Sequence, residues 1–241
     1  RLPTYRAHNE QAMAHAAIAY AKAHMRRRIM AVTTSIGPGA TNLLTAAALA
    51  HVNRLPVLLL PGDIFVSRAP DPVLQQLEDF GDGTVSVNDC FRTVSRYFDR
   101  IVRPEQLLTA LPRAMHVLTD AALCGPVTLA LPQDVQAEAY DWPENFFVER
   151  VHAFRRVPPA EDDVAAAAQA LRDARRPVLI VGGGALYAGA SEAVRQFAET
   201  HGVPVAETQA GKGLLAWHHP LQLGPAGVSG ATAANDLLAE A

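Results

Sequence analysis

The chain has 241 residues, 49% of them hydrophobic and 19% charged, and its formal net charge is -3. Such a chain can bury a sizeable core in one or two domains, and its mild negative charge gives no general basic field for nucleic acid. Its longest apolar runs, such as residues 57–60 and 178–181, have the length of strands and fall well short of the roughly 20 residues that a membrane helix needs. We therefore expect neither a nucleic-acid nor a membrane partner.

The two cysteines, Cys90 and Cys124, fit neither a disulfide framework nor a close-spaced metal motif. We predict that both are buried thiols. Because this use of cysteine is typical of a reducing compartment, we expect a cytoplasmic location.

Apolar runs alternate with helical stretches along the first part of the chain. The predicted elements are, in order, a helix at 10–25, a strand at 29–34, a helix at 40–52, a strand at 57–60, a helix at 105–122 and a strand at 127–131. The strands are apolar throughout, which is typical of parallel strands covered on both faces. This pattern predicts the α/β class, with an open parallel sheet and helices on both of its faces. Ligands of such sheets bind at the carboxyl ends of the strands, where residues 35–42 would lie.

A change of composition follows, because residues 136–160 mix charged and aromatic residues with prolines. We interpret them as an interdomain linker, and residues 161–241 as part of a second α/β domain. The elements predicted there are a helix at 162–174, a strand at 177–181, a turn at Gly182-Gly183-Gly184, a helix at 190–201 and a strand at 203–207. The triple glycine has two interpretations: it reverses the chain, or it approaches a nucleotide, as in an oxidoreductase domain.

A lone carboxylate, Glu10, begins the first predicted helix. After the next strand, the segment Ser35-Ile36-Gly37-Pro38-Gly39-Ala40-Thr41-Asn42 places a glycine-proline-glycine turn before a helix. Taken alone, Glu10 is either a cofactor-binding group or part of an N-terminal cap with Asn9 or His8. As a cofactor-binding group, Glu10 would have to exchange a proton near neutral pH, which requires a raised pKa. Burial among apolar neighbours such as Met13 raises the pKa of a carboxyl group, whereas a helix N-terminus lowers it. The direction of the pKa shift stays open.

Together, the glutamate and the glycine turn resemble the pyrimidine-binding domain of thiamine-diphosphate enzymes, in particular the acetolactate synthase-like group. The resemblance implies that residues 1–135 are this domain without its first strand and helix. It implies that Glu10 is catalytic and hydrogen-bonds the aminopyrimidine ring of thiamine diphosphate. It also implies that the cofactor contacts Glu10, Gly37, Pro38, Gly39 and Asn42.

The segment Gly81-Asp82-Gly83 is similar to the start of the family's motif for magnesium and pyrophosphate. That motif closes with an asparagine, and none occurs between Asn88 and Asn145. We therefore predict an ordinary loop turn and assign no metal ligand in this chain. The Mg²⁺ ligands are expected in a further domain, so the chain looks like a fragment that is inactive alone. The alternative is a non-catalytic assembly module.

Three segments narrow the resemblance, namely residues 62–76, 87–92 and 95–99. They depart from acetolactate synthases and resemble the hydrolases of myo-inositol catabolism that open the ring of trihydroxycyclohexane-1,2-dione to a 5-deoxy-uronic acid. This implies a polyhydroxylated diketone substrate and a homodimer or homotetramer. An acetolactate synthase-like carboligase or a decarboxylase of 2-oxo acids is the alternative. Candidate substrate contacts, each of which also fits a solvated loop, are Asp63, Ser67, Arg68, Asp71, Gln75 and Gln76.

Overall fold

The computed structural model describes residues 3–70, 73–77, 79–154 and 157–241. The chain divides into two units, residues 1–155 and 156–241. Each unit is built around its own parallel sheet. The predicted linker at 136–160 contains a short 3-10 helix, Glu144–Phe147. The exact bounds of the linker stay a prediction.

Four parallel strands form the sheet described in the first unit, in the spatial order β1-β2-β4-β3. They are β1 (Ala31–Thr34), β2 (Val57–Asp63), β3 (Tyr97–Arg100) and β4 (Pro126–Pro132). The strands β2 and β4 lie in the middle, where the residues of β4 are almost all buried. This is the burial expected of a parallel strand covered on both faces.

The helices of the first unit pack against this sheet. They are α1 (Glu10–Ala23), α2 (Pro38–Thr41), α3 (Leu44–Asn53) and α4 (Leu107–Thr119). The helix α1 presents buried residues at helical spacing and packs against α3, whose facing side is also rich in alanine. Small side chains allow these two helices to approach closely. The buried residues of the pair are Ala14, Ala17, Ile18, Ala21, Ala46, Ala47 and Ala50.

The side chains of strand β2 are buried or half-buried on both faces of the sheet. Leu58 and Leu60 pack against the core formed by α4 and β4. Since successive side chains of a strand point to opposite faces, Val57 and Leu59 face the other side, where they are fully buried. The predicted α/β class, with an open parallel sheet and helices on both faces, is confirmed.

Two details of the prediction were wrong. The helix expected at 40–52 is interrupted between Thr41 and Leu44, so that Asn42 ends α2 rather than continuing a long helix. The strand β3 was not predicted, because its residues are half-buried at the sheet edge and form no continuous apolar run.

The cysteine prediction was also partly wrong. Cys124 is buried, and burial raises the pKa of its thiol, but Cys90 is exposed. Within the described ranges, no helix is both long and apolar enough to cross a membrane.

The second unit has a smaller parallel sheet in the order β5-β6-β7. Its elements are α5 (Glu161–Asp173), β5 (Leu179–Val181), α6 (Gly183–Tyr187), α7 (Ser191–His201), β6 (Val205–Glu207), β7 (Gln222–Pro225) and α8 (Thr232–Ala239). The short helix α6, which begins within the predicted glycine turn, and the elements after β6 were not predicted. At the triple glycine, a side chain on Gly183 would lie 3.1 Å from the Cβ atom of Ala210. Close packing therefore favours glycine there, and nucleotide binding stays a prediction.

A buried ion pair fastens the end of β2. Asp63 is fully buried, accepts a hydrogen bond from Ser86 Oγ, and pairs with Arg100 through Nε at 2.6 Å. Arg100 also contacts Asp89 at 3.1 Å, and Asn88 donates to the carbonyl of Gly62 at 2.7 Å. These contacts hold the segment that begins at residue 86 against the strand end. They therefore fix both ends of the loop between residues 63 and 86.

We predict that Arg100→Met destabilises the first unit by about 3–5 kcal/mol, because it leaves the Asp63 carboxylate buried without its cation. The matched control is Arg103→Met, which breaks an exposed pair with Glu105 and should cost no more than about 1 kcal/mol. Urea denaturation followed by Trp142 fluorescence, in chains in which Trp217 is replaced by Phe, measures both. Equal losses for the two variants would contradict the buried-pair interpretation.

Candidate cofactor site

Glu10 is held at the start of α1 by the residue before it. Asn9 is the N-cap: its backbone is extended, and its side chain accepts a hydrogen bond from the Ala12 amide at 2.7 Å. The cap is therefore made by Asn9, and the Glu10 carboxylate is free for another contact. Its carboxylate lies near the carboxyl end of β1, through the contacts described next.

Asn42 supplies that contact. Its Nδ2 group donates to Glu10 Oε2 at 2.9 Å, across 32 residues of sequence. Asn42 reaches this position because it caps the short helix α2. The two sequence motifs are thus brought together by one hydrogen bond.

Gly39 forms the wall next to the carboxylate. A Cβ atom built on Gly39 would lie 3.6 Å from Glu10 Oε1 and 2.5 Å from Ser35 Oγ. A side chain on Gly39 would therefore contact Oε1, the carboxylate oxygen that Asn42 does not bind. Ser35 is a neighbour of the site that the sequence did not single out; its place beside the glycine turn was the available signal.

Gly37 meets a different constraint. Its φ of +71° lies in the left-handed region, and a Cβ atom would lie 1.8 Å from the carbonyl oxygen of Gln75. No side chain fits there. Pro38 follows as the first residue of α2, where its missing amide hydrogen costs nothing. The turn is thus fixed by backbone packing against the loop that follows β2.

The charge of Glu10 follows from these contacts. Its pKa is lowered, chiefly by the hydrogen bond from Asn42 and next by its own backbone amide, against a smaller opposing effect of burial. The carboxylate is only partly buried, and its neighbour Ala12 is exposed, so the expected burial among apolar residues is not found. The two opposing effects left open by the sequence therefore resolve toward an ionised group.

The six polar residues predicted as candidate substrate contacts lie at the end of β2 or in the loop that follows it, in different environments. Asp63 is fully buried in the ion pair with Arg100. Ser67 is held through its amide by Asp134 at 2.9 Å. Gln75 is exposed, whereas Gln76 is buried. Arg68 is exposed, and Asp71 lies outside the described residues.

The segment at residues 81–83 is a loop turn, as predicted. Asp79 Oδ1 accepts from the Gly81 amide at 2.8 Å, and Asp82 Oδ1 accepts from the Thr84 amide at 2.9 Å. Both aspartates are therefore engaged with neighbouring backbone. Among the described residues, no group of three or more His, Cys, Asp or Glu side chains is arranged to hold a metal ion.

We predict that Asn42→Ala raises the pKa of Glu10 toward its ordinary value, because it removes the largest cause of the lowered pKa. A lowered pKa in the folded state stabilises the fold above the unfolded pKa, and this contribution is lost as the pH falls through the folded pKa. The variant should therefore show a weaker loss of stability on acidification. The pH titration of the ¹³C-labelled Glu10 carboxyl by NMR tests this. Asn53→Ala, which removes only a bond to Leu49, is the control; an unchanged Glu10 titration in Asn42→Ala would contradict the assignment.

Two family models match the chain. The model of the thiamine pyrophosphate enzyme N-terminal TPP binding domain matches residues 1–82. The model of the thiamine pyrophosphate enzyme central domain matches residues 164–241. The first match contains Glu10 and the glycine turn, and the second lies within the second unit.

Curated relatives are similar over the whole chain. They are named 3D-(3,5/4)-trihydroxycyclohexane-1,2-dione hydrolase. The protein of Geobacillus thermodenitrificans is 53% identical over 240 residues, which are 100% of this chain and 38% of the relative. Those of Bacillus cereus and Clostridium tetani are 52% and 50% identical, again over 100% of this chain and 37% of the relative. The chain therefore spans little more than a third of the length of these relatives.

The matched domains, the order of strands and helices, and the position of Glu10 beside the glycine turn agree with one another. The chain belongs to the thiamine pyrophosphate enzymes and contains their N-terminal and central domains.

Proposed function

We propose that these residues act within a longer thiamine-diphosphate-dependent hydrolase that opens the ring of trihydroxycyclohexane-1,2-dione to a 5-deoxy-uronic acid. Identities of 50–53% to hydrolases of that name, over the full length of this chain, support the substrate and the reaction. Since the chain spans only 38% of such a relative, the activity is proposed for the complete enzyme. We expect the 241-residue chain to be inactive on its own.

The observation that carries the proposal is the hydrogen bond from Asn42 to Glu10 beside a glycine. It leaves one carboxylate oxygen, Oε1, next to space that a side chain on Gly39 would fill. An ionised carboxylate beside a glycine fits a heteroaromatic ring that offers an N–H group. The residues present therefore fit the aminopyrimidine ring of thiamine diphosphate.

When bound, thiamine diphosphate supplies the nucleophilic carbon that a reaction at a ketone carbonyl requires. Glu10 would accept a hydrogen bond from the protonated ring nitrogen of the pyrimidine, and its lowered pKa would favour keeping the proton on that nitrogen. Asn42 orients the carboxylate and keeps the pKa of Glu10 low. Gly37 and Gly39 keep the turn close to the loop and the carboxylate, so that the ring has room.

Four further features are proposed from the family resemblance and from the cysteines. Mg²⁺ is expected to bind the diphosphate through ligands outside this chain, since the metal binds such groups together with one or two carboxylates. A homodimer or homotetramer is expected from the family resemblance, as is a polyhydroxylated diketone partner. The cytoplasmic location stays a prediction from the cysteines.

We predict that Glu10→Gln in the complete enzyme slows ring opening about 10²–10⁴-fold, because an amide cannot take up the proton of the ring nitrogen. Deuterium incorporation at the reactive carbon of the bound cofactor should slow by a similar factor. Glu144→Gln is the matched control. Glu144 also begins a helical turn, but it is exposed and far from Glu10 in the sequence. Normal deuterium exchange in Glu10→Gln would remove Glu10 from this role.

We predict that Gly39→Ala weakens binding of thiamine diphosphate at least tenfold while changing the melting temperature little. The new methyl group occupies the space before Glu10 Oε1, whereas the closest atom it meets, Ser35 Oγ, is a side chain that can rotate away. Calorimetric titration with thiamine diphosphate and Mg²⁺, together with a thermal melt, separates the two effects. Normal affinity with a lowered melting temperature would indicate that Gly39 serves only the turn.

A further inference from the structure

A small cavity lies in the loop that follows β2. Its volume is about 150 Å³. In another protein, an engineered cavity of roughly 150 Å³ binds benzene, so this size suits one six-membered ring. The lining residues are Ile64, Phe65, Arg68, Pro70, Gln76, Asp79, Phe80, Gly83 and Val85.

Gln76 is the exceptional residue of this cavity. It is only 9% exposed, and its Nε2 group is buried without a hydrogen-bond partner. Its other amide atom, Oε1, accepts from the Phe65 amide at 3.4 Å, which fixes the side chain across the loop. Buried amide groups are nearly always paired, because an unpaired donor costs about 1–3 kcal/mol. The free N–H group therefore indicates a missing acceptor, which a ligand would supply.

Arg68 and Asp79 line the cavity, and a second carboxylate, Asp82, lies close to Arg68. The guanidinium of Arg68 packs on Gly83, where a Cβ atom would lie 2.5 Å from Nη1. Hydrogen bonds from Thr84 lower the pKa of Asp82, and the charge of Arg68 lowers it further. Asp79 is the carboxylate of the cavity lining. The positive charge of Arg68 is thus balanced by nearby negative charge.

We propose that this cavity is the subsite for the polyhydroxylated carbonyl ring of the substrate, with Gln76 Nε2 and Arg68 donating hydrogen bonds to its oxygens. The apolar part of the lining, including Ile64, Phe65 and Val85, contacts the carbon face of the ring. Gln76 and Arg68 are therefore residues that determine substrate specificity.

The charge balance favours a neutral polyol over an anion. A phosphate or carboxylate group would be attracted by Arg68, but it would be repelled by Asp79 in the lining and by Asp82 close to Arg68. A hydroxyl group both donates and accepts, so it suits a lining that mixes donors with carboxylates. The acceptor oxygens of a ketone or hydroxyl group satisfy Gln76 without bringing in charge.

The cavity is next to the proposed cofactor turn. Gln75, the neighbour of Gln76, places its carbonyl oxygen against Gly37. The backbone next to Gln76 thus contacts the turn that is proposed to hold the cofactor. The substrate class rests on the proposed function, whereas the existence of a polyol site does not.

Calorimetric titration of the 241-residue chain with a polyhydroxylated cyclohexanone, without thiamine diphosphate, tests the subsite. We expect binding that Gln76→Met weakens about tenfold, the effect of losing one hydrogen bond to a buried donor. Arg68→Ala should weaken it as well; because Arg68 is exposed, this variant remains informative if Gln76→Met fails to fold. The control is Gln133→Leu, an exposed glutamine outside the cavity.

Loss of affinity in both cavity variants, with normal affinity in Gln133→Leu, would support the subsite. Absence of binding by the unaltered chain, or equal binding by every variant, would overturn it. In the complete enzyme, Gln76→Met should raise KM about tenfold while kcat and the affinity for thiamine diphosphate stay within about twofold. A complete enzyme that binds the cyclohexanone but does not open the ring of trihydroxycyclohexane-1,2-dione would reject the proposed function and leave the subsite standing.

Discussion

The site depends on the hydrogen bond between Asn42 and Glu10, which joins two motifs that are 32 residues apart. Each partner reaches its place through a different local feature. The Asn9 cap starts α1 immediately before Glu10, and the interruption of the helix after Thr41 turns Asn42 toward the carboxylate. Asn42 binds Oε2 of the carboxylate, and Gly39 carries no side chain that could contact Oε1. The Glu10 carboxylate is therefore held in one orientation. A ligand can therefore be oriented before any other contact forms.

The sequence predicts the parts of this fold that a continuous apolar run marks. Strands β1, β2 and β4 and the helices between them follow from such runs, whereas β3 at the sheet edge is half-buried and has no such signal. The family resemblance is what singles out Glu10, Gly39 and Asn42. The atom that each contacts depends on the bend after α2, which helical periodicity does not reveal. The lowered pKa of Glu10 also required the structure, because sequence supplies opposing effects without their sizes.

The sequence also does not distinguish the roles of the polar residues at the end of β2 and in the loop that follows. Asp63 ends β2 and Gln76 lies in the loop that follows; both are polar, and both are buried. Their environments differ: Asp63 has Arg100 and Ser86 as partners, whereas the Nε2 group of Gln76 has none. A buried polar group with all its partners belongs to the framework, and one that lacks a partner is a candidate for ligand binding. Whether hydrogen bonds are satisfied, rather than polarity, separates these two roles.

The central claim is that Glu10 contacts an aminopyrimidine ring. Titration of the ¹³C-glutamate-labelled chain with 4-amino-2-methylpyrimidine, followed by NMR, tests that contact without the diphosphate or metal and detects even weak binding. The Glu10 carboxyl resonance should move in a saturable manner, together with the Nδ2 protons of Asn42, while the Glu144 resonance stays fixed. A Glu10 resonance that does not move, or that moves no more than that of Glu144, would contradict the account.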